Sequence, residues 1–393
     1  MNKTDKKIKM VKLGDLGKVS TGTTPSKKES LYYEHGDIPF LKPNLFSENE
    51  IRNLYGADEF LTSEGAMKSR VVKKGAVLTT CIGIIGKVGI AQREVCFNQQ
   101  INAIEPNPEI CISEYLAYAL MRFRESLTNM ANAPVIPIIN KTQFSSFQIP
   151  LPPLAEQKRI AEILDLADEA RRKRKKNIAL YDDLIRSLFL KTFGDPVSNP
   201  MGYELKALGK ICDVRDGTHD SPKYVEKGYP LLTSKNLKDG YVDLSDINMI
   251  SESDYEQINK RSKVDLGDIL MPMIGTVGNP VLVEEKPEYA IKNMALIKFV
   301  PDSPDPLYVL HLLSSHYFDH ATKASNRGGT QKFISLGNIR KLPIPIPNLG
   351  RQEAYIEQAE EINAQNVREK ALYEQHDNLF NALLQRAFKG DLG

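Results

Sequence analysis

Cysteine, net charge and long apolar runs are all scarce in this sequence, and each shortage sets aside a class of function. Among 393 residues there are four cysteines, Cys81, Cys96, Cys111 and Cys212, with no CxxC pair and no metal-ligand spacing toward the six histidines. That pattern argues against a zinc site or a disulfide framework, and we expect buried or idle thiols in a reducing compartment. No apolar run reaches the roughly 18 residues of a membrane span, and the opening MNKTDKKIKM has no apolar signal segment. A soluble, cytoplasmic protein is expected. The net charge is only +2, so no global basic field points to nucleic acid. Residues 1–150 carry 19 Lys and Arg against 15 Asp and Glu, and residues 151–196 carry 10 against 8. Residues 197–347 carry 18 against 19, and residues 348–393 carry 5 against 8. A nucleic-acid role must therefore rest on local patches. No PD…ExK cluster, NPPY-type box or metal constellation stands out either. The glycines Gly83, Gly86 and Gly89 are spaced GxxGxxG and lack the Lys-Ser/Thr of a phosphate loop, so they read as a strand–turn–strand.

What the sequence does have is one unit written twice. Leu13-Gly14-Asp15 returns as Leu208-Gly209-Lys210, and Asn44-Leu45 as Asn236-Leu237. VKKGAVLTTCIGIIGKVG, from Val72, returns as VDLGDILMPMIGTVG, from Val264. INKTQFSSFQIPLPPL, from Ile139, returns as ISLGNIRKLPIPIPNL, from Ile334. Order is kept while the offset stays between 192 and 195, which is the signature of a duplication. Each copy begins with a Gly- and Pro-punctuated part. It mixes β-like runs (Ala76–Thr80, Ile269–Met273) with a helical segment (Ser113–Arg124 with Ser113 as N-cap, and Leu307–Phe318). This predicts an α+β domain rich in loops, where recognition tends to sit.

Each copy then runs into a long helix. No Gly or Pro occurs between Pro153 and Gly194, or between Gly350 and Gly390, enough for roughly 57 Å each at 1.5 Å per residue. Ile160, Leu164, Ala167, Arg171, Arg174, Ile178, Tyr181, Ile185 and Leu188 step by four and three, a heptad seam. The second seam reads Tyr355, Ala359, Ile362, Asn366, Glu369, Tyr373, His376, Phe380 and Leu383. Both turn polar at the centre. A duplicated unit closed by a pseudo-twofold axis predicts antiparallel helices, with Glu369 facing an Arg. The expected segments are 1–150 and 197–346 as two similar domains, and 151–196 and 347–393 as a coiled coil separating them. Two like domains held apart suit a ligand with two sites at fixed separation, duplex DNA above all.

LGDLGKVSTGTTPS (Leu13–Ser26), IPFLKPNLF (Ile38–Phe46), GIIGKVG (Gly83–Gly89) and above all IPLPPLAEQKRIAEIL (Ile149–Leu164) carry a resemblance to the specificity (S) subunit of Type I restriction–modification systems. It covers nearly the whole chain. The resemblance implies two target-recognition domains, each reading half of a bipartite DNA sequence, and helical regions that dock two DNA methyltransferase subunits. It also implies restriction subunits in the full complex and a non-catalytic chain without cofactors of its own. S-adenosylmethionine, ATP and Mg then belong to the partners. The second helix start, PNLGRQEAYIEQA (Pro347–Ala359), keeps Gln352 but lacks the second Pro and the Glu before Gln. The loops ANAPVIP (Ala131–Pro137) and NRGGTQK (Asn326–Lys332) differ, so the two domains are expected to read different sequences.

Arg or Lys can bond guanine bidentately, and Asn or Gln adenine. The expected DNA-binding set is Lys42, Asn44, Arg70, Lys87, Arg93, Gln99 and Lys141 in the first domain. In the second it is Lys235, Asn236, Arg261, Arg327, Gln331 and Lys332. Further candidates are Asn98, Gln100, Arg122, Arg215, His219, Lys223, Lys260 and Lys263. Taken singly, each is more often a solvated surface group, and most true contacts would reach only phosphate. The run Arg171–Lys176 reads either as a solvated helix face or as a stripe over spacer DNA. A free-standing nuclease or methyltransferase and a pure coiled-coil scaffold are the competing readings. The first predicts catalysis by the chain alone, the second no salt-dependent binding.

Overall fold

Apolar runs closed off by Gly and Pro fold as short strands, and the uninterrupted stretches fold as helices. The computed structural model describes residues 9–131, 136–238, 240–274, 278–323 and 333–392. They group into two units, Met1–Lys176 with Lys370–Gly393, and Asn177–Glu369. Each unit contains half of both long helices, since an amphipathic helix on its own leaves its apolar stripe in water.

The first unit opens with β1 (Met10–Lys12), α1 (Leu13–Leu16), β2 (Gly17–Thr21), β3 (Ile38–Leu41), β4 (Arg52–Leu54) and β5 (Glu59–Leu61). It continues through α2 (Ser63–Met67), β6 (Val71–Val72), β7 (Val77–Thr80), β8 (Val88–Ala91), β9 (Val95–Phe97) and β10 (Ile101–Pro106). After α3 (Ser113–Arg122), α4 (Arg124–Thr128), α5 (Lys141–Ser146) and β11 (Gln148–Pro150) comes the long α6 (Leu154–Phe193). One sheet has the order β2-β10-β7-β8-β4, another β5-β3-β9-β6, and β1 pairs with β11. The glycine turn joins antiparallel β7 and β8, with Gly83 and Gly86 at φ +73° and +81°, so it is the expected strand–turn–strand.

The second unit runs β12 (Glu204–Ala207), α7 (Leu208–Ile211), β13 (Asp213–Asp216), β14 (Tyr224–Val225), β15 (Tyr229–Leu232), β16 (Leu237–Lys238), β17 (Tyr241–Val242) and β18 (Asn248–Ile250). Then come α8 (Glu252–Ser262), β19 (Ile269–Pro272), β20 (Val281–Leu282), β21 (Ala290–Ile291) and β22 (Met294–Lys298). It closes with α9 (Pro306–Leu313), α10 (His316–Thr322), α11 (Leu336–Arg340), β23 (Pro343–Ile346) and the long α12 (Leu349–Lys389). The order β13-β22-β19-β20 repeats β2-β10-β7-β8, and β12 pairs with β23 as β1 does with β11. The same side chains fasten both copies. Tyr115 donates its hydroxyl to Pro150 O at 2.6 Å, and Tyr308 to Pro345 O at 2.7 Å. Gln157 and Gln352, both buried, donate to Pro152 O and Pro347 O, and their carbonyls accept from Ile112 N and Asp305 N.

Three helix boundaries differ from expectation. Ser113 is the first helical residue rather than the cap, because its hydroxyl donates to Gly75 O at 2.6 Å and Ile112 takes the N-cap position. The expected single helices are each split. Phe123 leaves helical geometry and packs edge-on against Phe147 and Phe388, while Ser315 caps α10 through Tyr317 N. The four cysteines are free and buried, and burial pushes the Cys81 and Cys111 thiols up to about 12. Among the described residues no helix is long and apolar enough to cross a membrane, and no His, Cys, Asp or Glu group has a metal-binding arrangement.

In the first unit the start of α6 lies against the end of α12: Ile160 and Leu164 share a core with Phe380, Leu384 and Phe388. In the second unit the end of α6 lies against the start of α12, where Phe189 and Phe193 pack on Tyr355. The helices are therefore antiparallel, and every seam residue is at least half buried. At the polar centre Arg171 is 4% exposed; it bonds Asp168 Oδ1 at 2.7 Å and Asp377 Oδ1 at 2.8 Å, and lies 4.0 Å from the Phe380 ring centroid. Its counterpart 195 residues on is Asn366, 2% exposed, which donates to Asp182 Oδ1 at 2.9 Å. Glu369 accepts from Asn177 Nδ2 at 3.4 Å.

Candidate nucleic-acid interface

Strand register brings four loops to one corner in each unit. Thr21, ending β2, and Thr80, ending β7, pair with Asn102 and Ile101 at the start of β10. Leu41, ending β3, pairs in parallel with Phe97, ending β9. The second unit repeats this: Asp216 and Pro272 pair with Ala295 and Met294 at the start of β22, and Leu232 with Ile291. A Gly-Thr step leads away from each corner. Gly22 and Thr23 donate to Ile101 O and Phe97 O, as Gly217 and Thr218 do to Met294 O and Ile291 O. A Cβ on Gly22 would lie 2.1 Å from Asn98 O, and one on Gly217 2.4 Å from Ile291 O, so the close approach admits only glycine.

The residues just beyond that step carry different chemistry. Thr24 donates its hydroxyl to Gln99 Oε1 at 2.6 Å. At the equivalent place His219 Nδ1 lies 2.8 Å from Asn293 Oδ1, and its Nε2 lies 2.9 Å from Asp216 Oδ2. The bonds to Asn293 and Asp216 raise the His219 pKa above its ordinary value. Asn293 has φ +54°, a left-handed conformation that asparagine tolerates.

In the first unit Lys42, Asn44 and Gln99 share the corner. Lys42 pairs with Glu59, which also meets Lys27, and these ammonium groups hold the Glu59 carboxyl below the ordinary range. Asn44 donates to Asp58 Oδ2 at 2.9 Å and stays exposed. Arg70 is exposed with no acidic partner among the described residues, and its neighbour Ser69 bonds Thr23 O. Lys141 is exposed at the first turn of α5, following the Asn140–Gln143 capping box. Lys87 is mostly covered and lies 3.8 Å from Glu48. Arg93 stands apart. It precedes β9 and donates to Asp37 O before β3, at the other end of that strand pair.

In the second unit Arg261, in the last turn of α8, reaches the corner and pairs with Asp216. Lys235 is exposed and lies 3.4 Å from Asp246. Asn236 is 3% exposed, donates to Asp243 O and Asp246 O, and accepts from Thr233. With its amide fully engaged, it fastens a turn and has nothing to offer a base. Arg327, Gln331 and Lys332 lie outside the described residues. Within the basic run of α6, Arg171 is buried, Arg172 pairs with Asp168, Lys173 with Glu169 and Lys175 with Glu50. Residue type alone overlooked Thr24 and Asn293. The repeated Gly-Thr, Gly22-Thr23 against Gly217-Thr218, is the signal that marks their corner.

The scaffold is thus duplicated, with alike corners and unlike polar groups at them. The family model described as "Type I restriction modification DNA specificity domain" matches residues 5–180 and 200–367. The chain belongs to this family. It is 29% identical over 269 residues to the Type I restriction enzyme MjaIX specificity subunit of Methanocaldococcus jannaschii, covering 62% of this chain and 62% of the relative. It is 24% identical over 376 residues to the MjaVIII specificity subunit of the same organism, covering 90% and 85%. The EcoKI specificity subunit of Escherichia coli K12 is 23% identical over 406 residues, covering 94% and 86%. Among solved structures, the S subunit of a Type I restriction–modification system from M. genitalium shares the fold, with a TM-score of 0.59 at 15% identity over 98% of both chains.

Proposed function

We propose that this chain is the DNA-reading subunit of a Type I restriction–modification assembly, each unit reading one half of a bipartite duplex target. The observation that carries the reading is the repeated corner. One scaffold places four loops together twice, and fills the two corners with different hydrogen-bonding groups. Readout of base edges needs such groups on rigidly held loops, and different groups select different bases. Lys42, Asn44, Gln99 and Arg70 serve the first half-site, and Lys235, Arg261 and the loop bearing Arg327, Gln331 and Lys332 serve the second. Among the described cations Lys42, Lys235 and Arg261 are already ion-paired, so phosphate must displace a carboxylate there, and affinity falls with salt. The helix pair sets the spacing and docks two methyltransferase subunits, with restriction subunits joining in the full complex. The chain itself is non-catalytic, and S-adenosylmethionine, ATP and Mg belong to the partners, in the cytoplasm.

Binding of the full chain with its methyltransferase to a duplex carrying both half-sites tests this. Adding or removing spacer base pairs is expected to abolish tight binding while both half-sites stay intact. Binding indifferent to spacer length, or methylation of DNA by the chain alone, overturns the reading.

A further inference from the structure

We infer that the amide side chains of Gln99 and Asn293 are equivalent base-reading groups, each aimed by a donor in the loop that follows the Gly-Thr step. Thr24 and His219 are the positioning residues. The inference rests on the DNA-reading function proposed above and names which residues set specificity in each half.

The geometry is the same in both units. The corner amide stands between β9 and β10 in one and between β21 and β22 in the other. Each is gripped by its oxygen: Gln99 Oε1 accepts from Thr24 at 2.6 Å, and Asn293 Oδ1 faces His219 Nδ1 at 2.8 Å. Neither amide NH2 has a partner among the described residues, and neither is a buried orphan. An amide held by its oxygen presents its two N–H groups outward, and these seek an acceptor on a base edge, such as guanine O6 or N7, thymine O4 or adenine N7. An Asn or Gln that is free to turn over has no such bias.

The two grips differ in one respect. A threonine hydroxyl keeps its proton at every working pH, whereas His219 titrates. The charged groups around it are Asp216 at the end of β13, Arg261 from α8, and Lys292, which is bonded to Ser221. As imidazolium, His219 donates to Asp216 and Asn293 together. On losing a proton it keeps the one held by the stronger acceptor, the Asp216 carboxylate, and Nδ1 becomes a bare lone pair. Asn293 must then turn over to donate its NH2 to Nδ1, leaving Oδ1 outward. The second half-site changes from acceptor-seeking to donor-seeking at one base pair, and the first does not.

The test is selection of bound duplexes from a randomised library by the full chain with its methyltransferase, with the sequence preference read in each half. The Gln99→Glu variant is expected to reduce discrimination at one base pair of the first half-site by about tenfold or more, leaving the second unchanged. Asn293→Asp, which tolerates the same left-handed backbone, does the reverse. Each unaltered half-site reports that the variant is folded. Selection with the unmodified chain at about pH 6 and about pH 9 is expected to shift one position of the second half-site only, and His219→Gln removes that shift. Variants that weaken all sequences equally, or a pH shift common to both halves, overturn the inference while leaving the DNA-reading function standing. A library with no preference in either half overturns the function itself.

Discussion

The two units were built from one repeat, and while Tyr115 and Gln157 return as Tyr308 and Gln352 with the same bonds, other buried polar positions have diverged. Position for position, Arg171 and Asp377 in the first unit correspond to Asn366 and Asp182 in the second. One is a buried ion network with an aromatic ring against the guanidinium; the other is a single amide–carboxylate hydrogen bond. On α3 Tyr118 donates to Asp165, while the matching residue of α9 is His311, whose Nδ1 lies 2.5 Å from the Tyr355 hydroxyl. The frame tolerates exchange of polar partners even where Asn366 Oδ1 is left buried without a hydrogen-bond partner, and the exchanges give the two units different sensitivities.

The largest expected asymmetry is at the seam. Arg171→Ala leaves the 1% exposed Asp168 with Arg172 as its remaining guanidinium partner and removes the bonds to Asp377 and the Phe380 ring, and is expected to destabilise the first unit by about 2–3 kcal/mol. Asn366→Ala removes one hydrogen bond and is expected to lower stability by about 1 kcal/mol. Urea unfolding of both variants checks this, and equal losses would mean the two polar centres do not differ in kind. Acid is expected to distinguish the units next. Burial pushes the His311 pKa down to about 4, so the unfolded chain takes up the proton first. Its contribution is complete above roughly pH 6.5 and is lost as pH falls toward 4, by roughly 3 kcal/mol. Hydrogen exchange should show the second unit loosening first, and His311→Phe should remove that sensitivity.

A smaller effect should be shared. Tyr115→Phe and Tyr308→Phe each leave a buried carbonyl unpaired and are expected to lose about 1–2 kcal/mol, the same in both units. Unequal losses would show that the two tyrosines no longer play one role. The smallest effect concerns His219, which is exposed. Its raised pKa means that its bonds to Asp216 and Asn293 contribute below the ordinary histidine value and fade as pH rises through the raised one. An NMR titration should show that elevation, and Asp216→Asn should reduce it.

Much of this is legible in the sequence. The offsets of 192 to 195 gave the duplication, and the absence of Gly and Pro gave two helices of 40 and 41 residues. The four–three stepping gave the seam, because helical periodicity is local. The site was legible only in part. Lys42, Asn44, Gln99 and Arg261 reach the corners, but Asn44 and Asn236 look alike in sequence, and only the second is buried and saturated. Arg93 bonds Asp37 O at the other end of its strand pair. Burial and hydrogen-bond saturation depend on residues far off in the chain, and residue type does not report them.

The sequence by itself determined the repeat and the helices with their polar centres. Those features follow from periodicity and backbone sterics, which neighbouring residues dictate. The tertiary structure alone decided which side chains meet. Thr24 finds Gln99 across 75 residues and His219 finds Asn293 across 74, because the pairing register of β2, β9 and β10, and of their counterparts, brings those loops together.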